Sequence, residues 1–516
     1  MPISNAVRTE KTLSDPNAEY ESLKPLWNKS RAVCSGERYV KSFDNIVDTT
    51  SFTNMLIPFS PSMSQKQYNF YKSEAELPGI TAQFAKMIVG GLLRKMPTIQ
   101  LPDNVPEEAM DWIVNNFGKD DTPLVSFLDN ALWEEIQTTR AWVYVDYPKI
   151  QNYQDLTRED LKEIKPYPTI WSAESVINWR IGLDSQGKSS LNRVIYRGYV
   201  EEYNKNEFHP TLIDTIWVHE LDDQGYYQVR IFREESVTTE APTISGRTLE
   251  PNKTKIFKEI EVIQNIIANN ERLDFLPIWP LNGSASPQEP VLSPIIDKEI
   301  SLYNKMSRRN HLLYGAATYT PIIHSDMDED DFLSIVNKGL GSWILLRQDD
   351  KASILQTPTD ALQDMDRAIA SGIEEIAKLG IRMLSPEAAQ SGIALEIRNA
   401  AQTAQLGTLS TKISNVMSQI IAFMINWRYA LEIKSSEVVF NLSEDFNPIP
   451  LGADWLRLAT EWYREGLIPR SVWLQLIKQN DMIPPDYDDE EGMLEINADE
   501  IIAPKGSDDY AKTLEE

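Results

Sequence analysis

The chain has one cysteine, Cys34, four histidines, and no run approaching the eighteen or so apolar residues that a membrane span needs. One thiol excludes a disulfide within the chain and fits a reducing compartment. His209, His219, His311 and His324 show no H-E-x-x-H or related spacing. With a single Cys there is no zinc framework either, so no metal site is expected. Basic residues are also short: 50 Lys and Arg face 77 Asp and Glu, a net charge of −27. That balance argues against a protein that grips nucleic acid by neutralising phosphates, though not against one past which DNA must slide without sticking. The first residues, Met-Pro-Ile-Ser-Asn-Ala-Val-Arg, lack the apolar core of a signal peptide. The expectation is a protein made and used in cytoplasm, or packed into something assembled there.

What is present is enough for a folded core. Hydrophobic residues make up 42% of the 516, and 13 Trp, 20 Tyr and 15 Phe need large shaped surroundings. The length exceeds one usual core and implies two to four structural units. Part of the acidity is local: residues 481–516 hold thirteen Asp or Glu and two Lys, a net of −11. Such a tail reads as a solvated, partly disordered terminus.

Two apolar stripes between Asp360 and Leu431 organise the second half. Leu362, Met365, Ile369, Ile373, Ile376 and Leu379 recur every three or four residues and predict a helix over Thr359 to Gly380, about 33 Å long at 1.5 Å per residue. Leu409, Ile413, Val416, Ile420, Phe423, Trp427 and Leu431 repeat the pattern on a segment that begins near Gly392. Between them, Gly380 can release the first helix, Pro386 cannot continue one, and Ser391-Gly392 restarts it. An ordinary helical pair with a surface loop gives the same pattern.

Upstream, residues 16–42, 65–96 and 127–138 read as helices. Ala141–Tyr147, Leu191–Tyr203, Leu212–Leu221 and Gly225–Arg233 read as strands, with a hairpin turn at Asp222-Asp-Gln-Gly225. A long helix follows Pro290, with Ile296, Ile300, Tyr303 and Met306 on one face and Asn304, Arg308 and Asn310 largely off it. Residues 314–358 return to short strands, Thr318–His324, Ser342–Arg347 and Ala352–Leu355. A small β-containing module thus sits between two long helices.

Catalytic signals are weak. Gly182-Leu-Asp-Ser-Gln-Gly187-Lys188-Ser189 matches the phosphate-binding G-x-x-x-x-G-K-[ST] pattern, whose chemistry needs a strand before it and a helix after it. Leu191–Val200 reads instead as a strand, which makes the glycine segment a hairpin loop. Asp326–Asp331 begins like a calcium loop but has Asp331 where Gly is required and Asn337 where Glu is required. An acidic helix N-terminus accounts for it better. No G-x-S-x-G elbow occurs, and no enzyme and no cofactor are expected.

The order of parts resembles the portal protein of tailed bacteriophages, the ring at one capsid vertex. The residues that carry the resemblance are Phe275-Leu-Pro-Ile-Trp-Pro-Leu-Asn282, Ile295-Ile-Asp-Lys-Glu-Ile-Ser-Leu-Tyr-Asn304 with Ser307 and Asn310, and Ser391-Gly-Ile-Ala-Leu395. Glu465-Gly-Leu-Ile-Pro-Arg-Ser-Val-Trp473 and the acidic Pro485–Glu491 look like the end of such proteins. In the front half, Gly91–Pro97, Arg140–Asp146 and Trp171–Arg180 add to it.

The resemblance implies an α+β chain with a mixed α/β wing, a helical stem, a small β-containing clip and a helical crown. Residues 1–290 and 393–448 would form the wing, 291–314 and 359–380 the stem helices, and 315–358 the clip. Residues 381–392 would be the tunnel loop, and 449–516 the crown with its acidic tail. It further implies a homo-oligomer, typically twelve-fold, at the portal vertex of a virion assembled in host cytoplasm. Double-stranded DNA would pass through the channel during packaging and ejection. The terminase large subunit, then a head-tail adaptor, would dock on the clip through Trp343, Leu345 and Arg347, with major capsid and scaffold proteins around the ring and no membrane. Ile296, Ile300, Tyr303, Met306, Met365, Ile369, Ile373 and Ile376 would pack the stem. Lys378, Arg382, Met383, Leu384, Ser385 and Pro386 would face DNA, where Arg382 suits either a phosphate or a carboxylate of a neighbouring subunit. The alternative function is a P-loop nucleotide-binding protein using Gly182–Ser189.

Overall fold

Helix α1 (Ala18–Ser35) starts where the Asn17 side chain accepts a hydrogen bond from the Glu19 amide at 2.9 Å, with Glu19 and Glu21 in its first turn to suit the helix dipole. α2 (Glu37–Phe43) follows at once, and α3 (Gln65–Glu74) opens on a reciprocal Ser64–Gln67 capping box. α4 (Ile80–Leu92) begins after Gly79, whose φ of +73° an L side chain would rarely adopt. β1 (Thr98–Gln100), α5 (Glu108–Asn115) and α6 (Leu124–Thr138) complete the first part. The computed structural model describes residues 12–44, 54–147, 165–324, 351–355, 360–384 and 392–442, less short gaps between 184 and 319, and isolated positions at 328, 330 and 457–473.

Three strands, β2 (Trp142–Asp146), β3 (Tyr167–Trp171) and the later β9 (Ile278–Pro280), form one antiparallel sheet with β2 in the centre. β4 (Val176–Leu183), β5 (Ser189–Glu202), β6 (Thr211–Leu221), β7 (Tyr227–Thr238) and β8 (Lys253–Ile263) form a five-stranded antiparallel meander in chain order. The expected turn at Asp222–Gly225 is there. Gly225 has φ +85°, and the Asp222 carboxylate accepts from the Gln224 and Tyr226 amides, both at 2.8 Å.

Among the described residues the second half is built on three long helices, α7 (Ser293–Ala317), α8 (Asp360–Leu384) and α9 (Gly392–Tyr429). Between α7 and α8, β10 (Thr320–His324) pairs antiparallel with β11 (Lys351–Leu355). After α9, β12 (Val439–Asn441) returns to pair with β1. Ser414 and Ser418 on α9 accept hydrogen bonds from the Leu442 and Phe440 amides, so two small polar residues dock that strand on the helix. Helices and strands both make up large shares of the described residues, which makes the chain a mixed α and β protein.

Two apolar cores result. One gathers α4, α6, α7 and the C-terminal half of α9, where Ile413, Met417, Ile420, Ile421, Met424 and Ile425 are all buried. Neighbouring residues such as Ile420 and Ile421 lie on different faces, so this stretch of α9 is covered on more than one side. The other core lies under the five-stranded sheet, around Trp142, Trp171, Trp179, Val194 and Ile216. Phe423 and Trp427 of α9 pack against both. All of this belongs to the unit Met1–Phe446. In the second unit, Asn447–Glu516, the Trp473 ring stacks on Tyr463 at 5.1 Å and its indole N–H donates to Thr460 at 3.4 Å.

Candidate functional site

The two long helices α7 and α8 run antiparallel, as their cross-links show. Lys298 pairs with Glu375 at 2.7 Å and Arg309 with Asp366 at 2.6 Å, so the α8 partner moves back as the α7 partner moves forward. Between these ion pairs, a Cβ on Gly372 would stand 3.3 Å from Leu302 Cδ1, so the helices pack tightly at Gly372. The Lys298 ammonium lowers the pKa of the Glu375 carboxyl. These pairs are exposed and stabilise little by themselves.

The other side of α7 is fastened by polar side chains. The Glu299 carboxylate, fully buried, accepts from the Ile80 amide at 2.9 Å and the Thr81 amide at 2.7 Å, so it caps the N-terminus of α4. Asn304 accepts from the Ile57 amide at 2.7 Å and donates to the Met55 carbonyl at 2.8 Å. Tyr303 donates to Asp44 at 3.0 Å. Asn304 was expected largely off the packed face and is instead buried. The reason is that α7 is packed on two sides, and an apolar stripe reveals only one. Asn310 likewise reaches the Glu74 carbonyl at 3.2 Å.

Of the residues expected to pack this pair, Ile296, Tyr303 and Ile376 are buried, and Ile300, Met306, Met365 and Ile369 are half-buried. Ile373 lies in the same stripe yet is 43% exposed, next to fully covered Ile376. The isolated chain therefore leaves the middle of the α8 stripe uncovered.

The expected helix end at Gly380 is corrected by the structure, which carries α8 on to Leu384. Arg382, Met383 and Leu384 thus sit on the last helical turn and not in a loop. One glycine costs a helix only about 1 kcal/mol, and the Ile381-Arg-Met-Leu384 that follows has good helix formers. The side chains of residues 380–384 and 392–406 lie outside the described set, as do Ser385 and Pro386. Lys378 is paired along the helix with Glu374 at 2.6 Å. Trp343, Leu345 and Arg347, and Asp326, Met327, Glu329 and Asp331 of the acidic run, also lie outside the described residues.

The glycine-rich match at Gly182–Ser189 is a hairpin: Gly182 pairs with Ser190 and Leu183 with Ser189 across antiparallel β4 and β5. No helix follows it, so no row of free amides is offered to phosphates, and the nucleotide-binding alternative has no geometric basis. A Cβ on Gly182 would lie 2.1 Å from the Asn192 side-chain nitrogen, so a larger residue there would require that side chain to move. Among the described residues no group of three or more His, Cys, Asp or Glu could hold a metal ion, and no helix is long and apolar enough to cross a membrane.

A family model described as a domain of unknown function, DUF4055, matches residues 292–428, the stretch that holds α7, α8 and most of α9. No curated protein matches the chain in sequence. Similar solved structures include a chain of the virion of a native gene transfer agent particle (TM-score 0.37) and one from the neck of an empty gene transfer agent particle computed with C6 symmetry (0.38). A third comes from the neck of a native particle computed with C12 symmetry (0.34). Each is 10% identical over 77% of this chain and 89% of the other.

Proposed function

We propose that the chain is the subunit of a portal ring of a tailed-phage-like particle. In this reading it forms the conduit for DNA packaging and ejection at one capsid vertex, and a platform for a terminase motor and then for head-completion proteins. The observation that carries the proposal is the antiparallel pair α7 and α8, with the antiparallel strands β10 and β11 between them in the chain and the 38-residue α9 after them. In this reading these would be the stem, clip and long wing helix, in the order the sequence resemblance implies.

A closed ring needs two unlike surfaces on each subunit, because each copy contacts its neighbours head to tail. The uncovered Ile373, within an otherwise packed stripe, supplies an apolar centre for one such surface. The net charge of −27 also suits a channel, although on α8 itself four of the five carboxylates, Asp364, Asp366, Glu374 and Glu375, are ion-paired, so the excess lies elsewhere in the chain. A wall of this sign repels phosphates at close range, within roughly the 8 Å over which charge is felt at physiological salt. DNA would then move past without adhering.

Negative-stain imaging of the purified full-length chain tests the proposal. Class averages showing closed rings with a central hole support it. Compact particles of single-chain size at micromolar and higher concentration would refute it in favour of a monomeric scaffold.

A further inference from the structure

Beside the two sheets lies a cavity of about 330 Å³ for which the ring reading has no use. Its walls are aromatic. Tyr144 and Trp171 come from β2 and β3, Tyr196, Trp217 and Tyr227 from β5, β6 and β7, and Trp427 from the end of α9. The rings form a continuous series: Tyr144 stacks on Trp171 at 4.8 Å, Trp171 lies 4.5 Å from Tyr196, and Tyr196 lies 5.3 Å from Trp217. Aromatic faces carry negative potential and attract cations within about 6 Å of the ring centre.

The polar part of the lining has the same sign. Asp146 Oδ1 accepts from the Tyr144 hydroxyl at 3.2 Å and the Tyr147 amide at 2.8 Å. Among the described residues no Lys or Arg lines the cavity and no cation pairs with Asp146. His219 lines it too, but burial pushes its pKa down to about 3, and its Nδ1 shares a hydrogen bond with the Tyr227 hydroxyl at 2.7 Å. The imidazole is therefore neutral at physiological pH and does not offset the carboxylate.

We propose that this cavity binds a small organic cation of the alkylammonium or quaternary ammonium class, its charge held against the aromatic faces and the Asp146 carboxylate. The volume falls at the lower end of small-molecule sites. A hard metal ion fits poorly, because such ions require six or more oxygen ligands and one carboxylate among rings does not supply them. An anion would meet like charge. A neutral apolar guest would leave Asp146 without a counter-charge, whereas a cation satisfies rings and carboxylate together.

The test titrates choline into the full-length protein, read by tryptophan fluorescence and calorimetry, beside 3,3-dimethylbutan-1-ol, its uncharged carbon isostere. Saturable choline binding at least tenfold tighter than that of the alcohol is expected. Asp146→Asn, which keeps the shape, should weaken choline at least fivefold, and Trp217→Leu should do so independently. Equal binding of the two compounds, or no saturation by choline with protein of native circular dichroism, overturns the proposal. The inference does not rest on the ring reading, and the particle mass measured on the same sample tells the failure of one from the failure of the other.

Discussion

The Tyr303 hydroxyl donates to Asp44 Oδ2 at 3.0 Å across 259 residues of sequence, while Asp44 Oδ1 accepts from the Met55 and Leu56 amides at 2.8 Å each. One buried carboxylate therefore joins the N-terminal helices to α7. Burial raises the pKa of this carboxyl, and the hydrogen bonds oppose that rise. Removing a partner should leave a buried oxygen short of a donor. Tyr303→Phe is expected to lower stability by about 1–3 kcal/mol, measured from the urea midpoint with the slope unchanged. A change under about 0.5 kcal/mol would show that this contact fastens nothing.

Ile373 and Ile376 stand one turn apart on α8 and should behave differently. Ile376→Asp places a charge where no solvent reaches, so the chain should fail to fold or lose several kcal/mol. Ile373→Asp puts it at a 43% exposed position, so the subunit should fold with a nearly normal circular dichroism spectrum and melting temperature but should not assemble. Normal assembly of Ile373→Asp would mean that α8 is not at a subunit boundary.

Two buried groups tilt stability with pH in opposite directions. Burial pushes His219 from 6.5 down to about 3, so the unfolded chain takes up this proton first. The stabilising contribution is present above 6.5 and is lost as pH falls towards 3. Burial pushes Glu135 from 4.5 up to about 7, against the opposing hydrogen bond from the Ala141 amide at 2.7 Å. Its contribution is full below 4.5 and is lost as pH rises to about 7. In melting temperature against pH, His219→Gln should flatten the acid limb and Glu135→Gln the slope between 4.5 and 7. Unchanged slopes in both variants would contradict these assignments.

The hairpin at Gly182–Ser189 predicts that ATP does not bind there. Millimolar ATP should leave the melting temperature of the full-length chain unchanged, and Lys188→Ala should not alter that. A stabilisation that Lys188→Ala removes would restore the nucleotide reading.

How much the sequence revealed follows from how local each signal is. The α8 stripe, the β5 to β7 meander and the Asp222–Gly225 turn depend on neighbours within a few residues, and each is where periodicity and turn chemistry place it. The end of α8 was misplaced because Gly380 permits a helix to stop without requiring it. The polar fasteners Asp44, Glu299 and Asn304 are not legible, since the contacts by which they tie α7 to the N-terminal part span more than two hundred residues and buried polar groups follow no period. The exposure of Ile373 was hidden for the converse reason: a stripe shows which side seeks cover, not whether the same chain supplies it. The cavity collects aromatic side chains from five strands and one helix, a grouping only the folded sheets create.

The central claim is that the chain closes into a ring, and the most direct measurement is the mass of the purified full-length protein by mass photometry. The account predicts one dominant species near twelve times the 58.9 kDa chain, abolished by Ile373→Asp. A single peak at the mass of one chain, unchanged by that substitution across the working concentration range, would contradict it.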